Sequence, residues 1–174
     1  MPPYQGMDDI AQEPRRIWWA RPRKLCGLER PGGGGRSHRP ERRDAEIAYL
    51  KARRVRLFVS TSPTRHNLAA YDAAGLEWHH VPVESADEGV AALDELLSLL
   101  RVETKRPGAV AVHGNRWTDF VAALCAAHLH ELRGLPVAGA LAGASRAGLT
   151  VTPAACALVG VDLEEVDAML HAEA

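Results

Sequence analysis

The sequence predicts an α/β fold in which a central, mostly parallel sheet is flanked by helices. Short apolar runs bounded by turn residues occur at 55–61, 76–83 and 109–113, and such runs are typical of buried strands. Segments with helical spacing alternate with them, and strands separated by helices pair in parallel with helices on both faces. The chain has 174 residues, 47% of them hydrophobic, which is enough for the core of one domain.

Two helices are predicted in the first half of the chain. Asp44 can cap a helix that runs to about Arg53. A second helix is expected over about 66–74, and Gly75 is the residue type with which helices commonly end. An apolar strand follows each of these helices, as a parallel sheet requires.

Two further helices flank the third strand. Apolar residues recur on one face over 87–100, the pattern of a helix that packs on a core. After the strand at 109–113, a helix is expected to begin near Trp117, to bury that residue with the rest of its apolar face, and to end at Gly134.

Composition suggests how the domain is bounded. Residues 1–13 are expected to be a disordered tail, and 14–134 the α/β domain, with a mobile Gly-rich loop near 31–43. Residues 135–174 form a C-terminal extension that is expected to be partly helical. The first part of this extension is rich in Gly and Ala with weak periodicity, whereas its last part can form a capped acidic helix.

The sequence favours a cytoplasmic protein. No apolar run reaches membrane-spanning length, and the first residues lack the basic and apolar blocks of a secretion signal. Cys26, Cys125 and Cys156 are odd in number and widely spaced, which suits reduced thiols better than a disulfide or zinc framework.

Charge is unevenly distributed along the chain. Residues 14–56 carry 14 Arg or Lys and 4 acidic residues, whereas 57–174 carry 7 and 15. The basic half can be a solvated surface with a flexible loop, or it can steer a phosphorylated partner. It can also bind nucleic acid or anionic lipid, although the absence of a recognisable binding module argues against nucleic acid.

The strand, turn and helix of residues 109–124, AVAVHGNRWTDFVAAL, predict a phosphate site. A Gly-containing turn between a strand and a helix leaves free backbone N–H groups, and the helix dipole adds partial positive charge. Arg116 can supply a guanidinium fork for an oxyanion. The turn itself contains no Cys, Ser or Asp nucleophile. The predicted phosphate-binding residues are His113, Gly114, Asn115, Arg116, Trp117 and Thr118.

The histidines do not predict a metal site. His79 and His80 are adjacent on a strand and therefore point to opposite faces of the sheet. His128 and His130 are two residues apart on a helix and diverge by about 200°. Neither pair has the spacing of metal ligands, so no metal and no cofactor are expected.

The same turn carries a family resemblance. Val112-His113, followed by a turn, an Arg, a hydroxyl residue and a Phe-Val-Ala-Ala helix, resembles the signature loop of protein tyrosine and dual-specificity phosphatases, His-Cys-x5-Arg-Ser/Thr. The chain looks closest to a bacterial variant of that loop. Arg116, Thr118 and Phe120 match the Arg, Ser and Phe of this variant. About three residues of the loop are missing, and the family's Cys is among them.

The resemblance extends over roughly residues 17–134. Residues 17–32, IWWARPRKLCGLERPG, look like the N-terminal strand segment of these phosphatases, and 54–61 are similar to their first central strand. Residues 71–83, YDAAGLEWHHVPV, resemble the strand that precedes the acidic loop from which the family's general acid comes.

The resemblance implies roles for individual residues. In the family a Cys thiolate attacks phosphorus and an Arg clamps the phosphate oxygens. Arg116 matches that clamp, with a surface role as the alternative, and Thr118 matches the assisting hydroxyl but is better explained as a helix cap. His113 is expected to be a buried hydrogen-bonding residue. Glu84 and Asp87 are candidates for a vestigial general acid, with capping or solvated roles as alternatives.

The remaining thiols do not replace the missing nucleophile. Cys125 lies nine residues after Arg116, more than two helical turns beyond the phosphate-binding end, and Cys26 lies on the N-terminal strand. The expected function is therefore that of a pseudophosphatase, which binds a phosphorylated protein or small phosphorylated ligand or acts as a scaffold. The alternatives are an active protein phosphatase and, from the basic half, a nucleic-acid or anionic-lipid binding module.

Overall fold

The computed structural model describes residues 11–172 and contains a five-stranded sheet. The strands are β1 (Ile17–Arg21), β2 (Leu25–Leu28), β3 (Val55–Ser60), β4 (Glu77–His80) and β5 (Ala109–His113). Their order across the sheet is β1-β2-β5-β3-β4. β1 runs antiparallel to β2 and the other neighbouring strands are parallel, so the predicted mostly parallel sheet is confirmed.

Helices cover both faces of this sheet. They are α1 (Pro40–Ala52), α2 (Leu68–Ala73), α3 (Val90–Glu103), α4 (Asp119–Arg133), α5 (Val137–Arg146), α6 (Pro153–Leu158) and α7 (Leu163–Ala172). On one face, Leu50 of α1 and Tyr71 of α2 pack with Phe58 of β3. On the other face, α3 to α7 pack together, for example Leu124 of α4 with Val112 of β5. The predicted α/β fold is therefore confirmed.

Several helix ends follow their local sequence signals. Gly75 and Gly134 lie just after α2 and α4 with φ of 73° and 67°, as predicted. α1, however, begins at Pro40 and not at Asp44. The fixed φ of proline suits the first helical position, where its missing N–H has no partner to lose. Residues 40–43, expected in a loop, are consequently helical.

Three helices start later than the sequence suggested, and the first of them is α2, which begins at Leu68. Ala86–Gly89 form a 3-10 turn, so α3 begins at Val90. Trp117 precedes α4 and is 58% exposed, which makes its expected burial in the core wrong. The helical period does not apply to Trp117, because the chain is still in the turn at that point.

The C-terminal segment joins the same core. α5 packs against α4 and α7, and its small side chains Ala140, Ala142 and Ala144 are buried there. The predicted boundary after residue 134 stays a prediction. Of the predicted N-terminal tail, residues 1–10 lie outside the described part of the chain. Among the described residues, no helix is both long and apolar enough to cross a bilayer.

Candidate functional site

The turn at residues 114–118 lies at the carboxyl edge of the sheet. His113, the last residue of β5, is paired with Leu28 of β2 on one side and with Ser60 of β3 on the other. Three parallel strands therefore end side by side, and the loops that follow them meet at this edge. Open α/β sheets place ligands at such an edge.

His113 lies at the centre of a buried hydrogen-bond network behind the turn. Its Nδ1 lies 2.9 Å from the Gly114 carbonyl oxygen and its Nε2 lies 2.7 Å from the Tyr71 hydroxyl. A carbonyl only accepts hydrogen bonds, so Nδ1 carries the ring proton and Nε2 accepts from Tyr71. Asn67 Nδ2 donates in turn to the Tyr71 hydroxyl and to the Pro31 carbonyl. The network links the turn to the Gly-rich loop.

Burial keeps this network neutral. It lowers the pKa of His113 to about 4 and raises the pKa of Tyr71, so the imidazole is unprotonated and the phenol protonated near neutral pH. A neutral, fully buried imidazole with both nitrogens engaged is neither a proton donor nor a phosphate ligand. His113 therefore holds the turn in place, and it does not face the cleft in front of the turn.

Two glycines allow the close packing of the turn. A Cβ on Gly114 would lie 2.3 Å from the Trp117 carbonyl oxygen, so only glycine fits this fold of the backbone. Gly34, from the Gly-rich loop, packs directly on the turn, because its Cβ would lie 2.5 Å from the Asn115 carbonyl oxygen. Gly34 was missed at the level of sequence, since the contact joins segments about 80 residues apart.

Arg116 lines a cleft in front of the turn. The cleft has a volume of about 420 Å³ and is lined by Pro63, Val83, Glu84, Ser85, Asn115, Arg116 and Trp117. The guanidinium carbon of Arg116 lies 5.9 Å from the centre of a Trp117 ring, and both side chains are exposed. Within residues 11–172, Arg116 forms no ion pair.

The two candidate acids differ in position. Glu84 is exposed and lines the same cleft as Arg116. Asp87 is also exposed, but it lies in the 3-10 turn and does not line the cleft. No side-chain cap is formed by Asp87. Instead, the Glu88 carboxylate accepts a hydrogen bond from the backbone N of Glu84.

Thr118 and Asp119 tie the turn to distant segments. The Thr118 hydroxyl accepts a hydrogen bond from the backbone N of Thr150 at 2.7 Å and makes no cap bond to α4, so its expected capping role is wrong. The buried Asp119 carboxylate accepts from the backbone N of Ala86 and from the Thr152 hydroxyl. Sequence reasoning missed Asp119, although a carboxylate in the first turn of a helix is a recognisable signal.

Backbone groups of the turn are uncommitted. Within the described chain, the N–H groups of residues 114–118 donate no hydrogen bond to another protein group. The side-chain oxygen Oδ1 of Asn115 is buried and also lacks a partner among the described residues. The edge thus combines free N–H groups with an exposed guanidinium, the two kinds of donor that bind oxyanions.

All three thiols are free and buried away from the turn. Burial raises the pKa of Cys125 to about 12 and that of Cys26 well above its usual value, so neither forms a thiolate at neutral pH. Among residues 11–172, no three His, Cys, Asp or Glu side chains are grouped so that they could hold a metal ion.

Known structures share this fold. No protein-family model matches the chain, and no curated protein sequence matches it significantly. Human DUSP28 has 21% identity and a TM-score of 0.63, over 91% of this chain and 98% of its own. P. aeruginosa TpbA in complex with pTyr has 19% identity and a TM-score of 0.66, over 91% and 90%. PTPMT1 in complex with PI(5)P has 13% identity and a TM-score of 0.63, over 91% and 99%. The chain therefore has the fold of the protein tyrosine and dual-specificity phosphatases.

Proposed function

We propose that this protein binds a phosphorylated ligand at the turn of residues 114–118 and does not hydrolyse it. The observation that carries the proposal is the exposed guanidinium of Arg116, which forms no ion pair within residues 11–172 and lies beside uncommitted backbone N–H groups. An unpaired guanidinium next to free amides at the start of a helix suits a phosphate group.

The chemistry of the turn argues against hydrolysis. A phosphoenzyme route needs a nucleophile that faces phosphorus, and residues 113–118 contain no Cys, Ser or Asp. Both ring nitrogens of His113 are already hydrogen-bonded, and Cys125 is a buried thiol with a raised pKa, so neither can attack phosphorus. Glu84 lines the cleft. A general acid there would protonate a leaving oxygen, but no leaving oxygen is released unless a nucleophile attacks phosphorus.

The ligand class follows from the form of the cleft. Arg116 supplies the charge, while the exposed indole of Trp117 offers an apolar surface for the organic part of a phosphate ester. The fold relatives TpbA and PTPMT1 hold pTyr and PI(5)P, both of which are phosphate esters. A phosphorylated protein side chain or a small phosphorylated molecule is therefore the proposed ligand.

Thermal unfolding in phosphate tests this site. Phosphate at millimolar concentration should raise the Tm of the wild type beyond the effect of chloride at equal ionic strength, by mass action on the folded state. Arg116→Ala should clearly reduce that gain. Arg53→Ala is the matched control, because it removes one exposed positive charge just after α1 and away from the turn. Equal stabilisation of the wild type and Arg116→Ala would overturn the proposal.

A further inference from the structure

A second cavity lies at the opposite edge of the sheet. It has a volume of about 240 Å³ and is lined by Arg21 at the end of β1 together with residues near the ends of α3 and α4. Arg21 pairs with Leu25 at the start of β2, and Leu25 pairs with Val110 near the start of β5. The cavity is therefore at the amino edge of the parallel strands, away from the turn at residues 114–118.

Positive charge predominates in this cavity. Its lining includes the cations Arg21, Arg101 and Lys105 and the single carboxylate Glu131, which leaves a net charge of about +2. Glu131 is already bound by the Arg101 guanidinium, with both carboxylate oxygens about 3.1–3.2 Å from Nη2. Within residues 11–172, neither Arg21 nor Lys105 forms an ion pair.

The guanidinium of Arg21 is hydrogen-bonded to a neutral histidine and not to a carboxylate. Its Nη1 donates a hydrogen bond of 3.2 Å to Nε2 of the buried His128, whose pKa is lowered to about 4 by burial and by the Arg21 charge. The Nε of Arg21 is buried without a hydrogen-bond partner in the described chain. Burial lowers the pKa of Arg21, and the nearby positive charge of Arg133 lowers it further. A partly buried guanidinium beside a second cation is costly unless an anion accompanies it.

We infer that this cavity binds a small, doubly charged oxyanion, either inorganic phosphate or the phosphate group of a small metabolite, through Arg21, Arg101 and Lys105. The net positive charge of the lining matches a dianion. The volume of about 240 Å³ lies below the lower end of about 300 Å³ that is typical of pockets for drug-sized ligands, which favours a small oxyanion over a nucleotide. His128 accepts from Arg21 and so holds one edge of its guanidinium in position.

The test is an NMR titration of the Arg116→Ala protein with inorganic phosphate. The Arg116→Ala substitution removes the guanidinium of the site proposed at the turn, so the result does not depend on the proposed function. Backbone amide signals of residues 104, 105 and 128 should shift with saturation. Glycerol phosphate in a second titration distinguishes a small phosphorylated metabolite from free phosphate, and acetate tests the need for a double charge.

Substitutions then identify the ligands. Arg21→Gln should weaken phosphate binding about tenfold or more, because it removes a charge-assisted hydrogen bond. Lys105→Gln should weaken it about threefold or more, and this exposed residue can be changed without unfolding the protein. Arg106→Gln is the matched control: it removes the neighbouring charge, which is outside the cavity lining and paired with Glu103. Shifts without saturation, or equal affinity in Lys105→Gln and Arg106→Gln, would overturn the inference and leave these cations the role of stabilising helix ends.

Discussion

The two edges of the sheet each contain a buried histidine, and the two histidines differ in what surrounds them. Burial lowers the pKa of both His113 and His128 to about 4, and both accept a hydrogen bond through Nε2. His113 accepts from the neutral Tyr71 hydroxyl inside a closed network. His128 accepts from the Arg21 guanidinium and lines a cavity. The two histidines therefore share burial and a lowered pKa, and they differ in the charge of the hydrogen-bond partner and in the space beside the ring.

At the carboxyl edge, several segments are tied to the turn of residues 114–118. There, Gly34 packs on the turn, and Thr118 and Asp119 bind segments 32 and 33 residues away in sequence. These contacts leave Arg116 as the exposed donor of the turn. At the amino edge, the unpaired charges Arg21 and Lys105 face open space. The first edge is expected to present a rigid site, and the second a site that depends on its ligand for charge balance.

Removing each histidine should have very different effects on stability. His113→Ala should lower the free energy of unfolding by about 3–5 kcal/mol, since it leaves a core cavity and deprives the buried Tyr71 hydroxyl of its acceptor. His128→Ala should cost about 1–2 kcal/mol, because its ring already borders an open cavity. Urea unfolding of both variants measures the difference, and equal losses would break the contrast between the two edges.

Acid should weaken the network at the carboxyl edge. The pKa of His113 is about 4 in the folded protein and 6.5 as an ordinary value. The unfolded chain therefore takes up the proton first, so the stabilisation by neutral His113 is complete above about pH 6.5 and is lost as the pH falls towards about 4. This loss amounts to about 2–3 kcal/mol at about pH 4.5.

His113→Gln isolates that contribution, because glutamine does not titrate. The stability difference between the wild type and His113→Gln should narrow by about 2–3 kcal/mol when urea unfolding is repeated at about pH 4.5 instead of about pH 7. A difference that stays constant over this range would show that His113 does not titrate as its burial requires.

A small effect is also expected when the contacts of Asp119 are removed. Asp119→Ala should cost about 1–2 kcal/mol and should speed hydrogen exchange at the backbone N–H groups of Ala86 and Phe120, which the carboxylate accepts from. Asp162→Ala is the matched control, since that aspartate accepts from the backbone N of Glu165 on an exposed helix. An unchanged rate of hydrogen exchange at the Ala86 N–H in Asp119→Ala would show that Asp119 does not hold the segment around Ala86 to the turn.

Local sequence patterns predicted the parts of the fold that depend on local physics. The apolar runs gave β3 and β5 because a buried strand shows its burial directly in its composition, whereas β4 is an edge strand with exposed and half-buried residues. Gly75 and Gly134 marked helix ends because the left-handed backbone there favours glycine. α5 was missed because Gly139 and Gly143 are poor helix formers, and the weak periodicity expected for this segment is wrong, since the helix has a clearly apolar face.

The candidate site was predicted only in part because its geometry comes from long-range contacts. Sequence reasoning identified the turn and Arg116, which the structure brings into one cleft with Glu84. It assigned Thr118 to capping because helix caps are local, whereas the real partner, Thr150, lies in a segment without a recognisable pattern. The pairing of Arg21 with His128 joins residues 107 apart in sequence, so no local pattern could reveal it.

The central claim is that the turn of residues 114–118 holds a phosphate ester and leaves it intact, and ³¹P NMR of phosphotyrosine mixed with the purified protein tests both halves in one spectrum. The ester signal should shift or broaden with the wild type, should do so far less with Arg116→Ala, and no inorganic phosphate signal should grow with time. Inorganic phosphate that accumulates with the wild type and not with Arg116→Ala would identify an active phosphatase. An ester signal that is the same in both proteins would contradict the site itself.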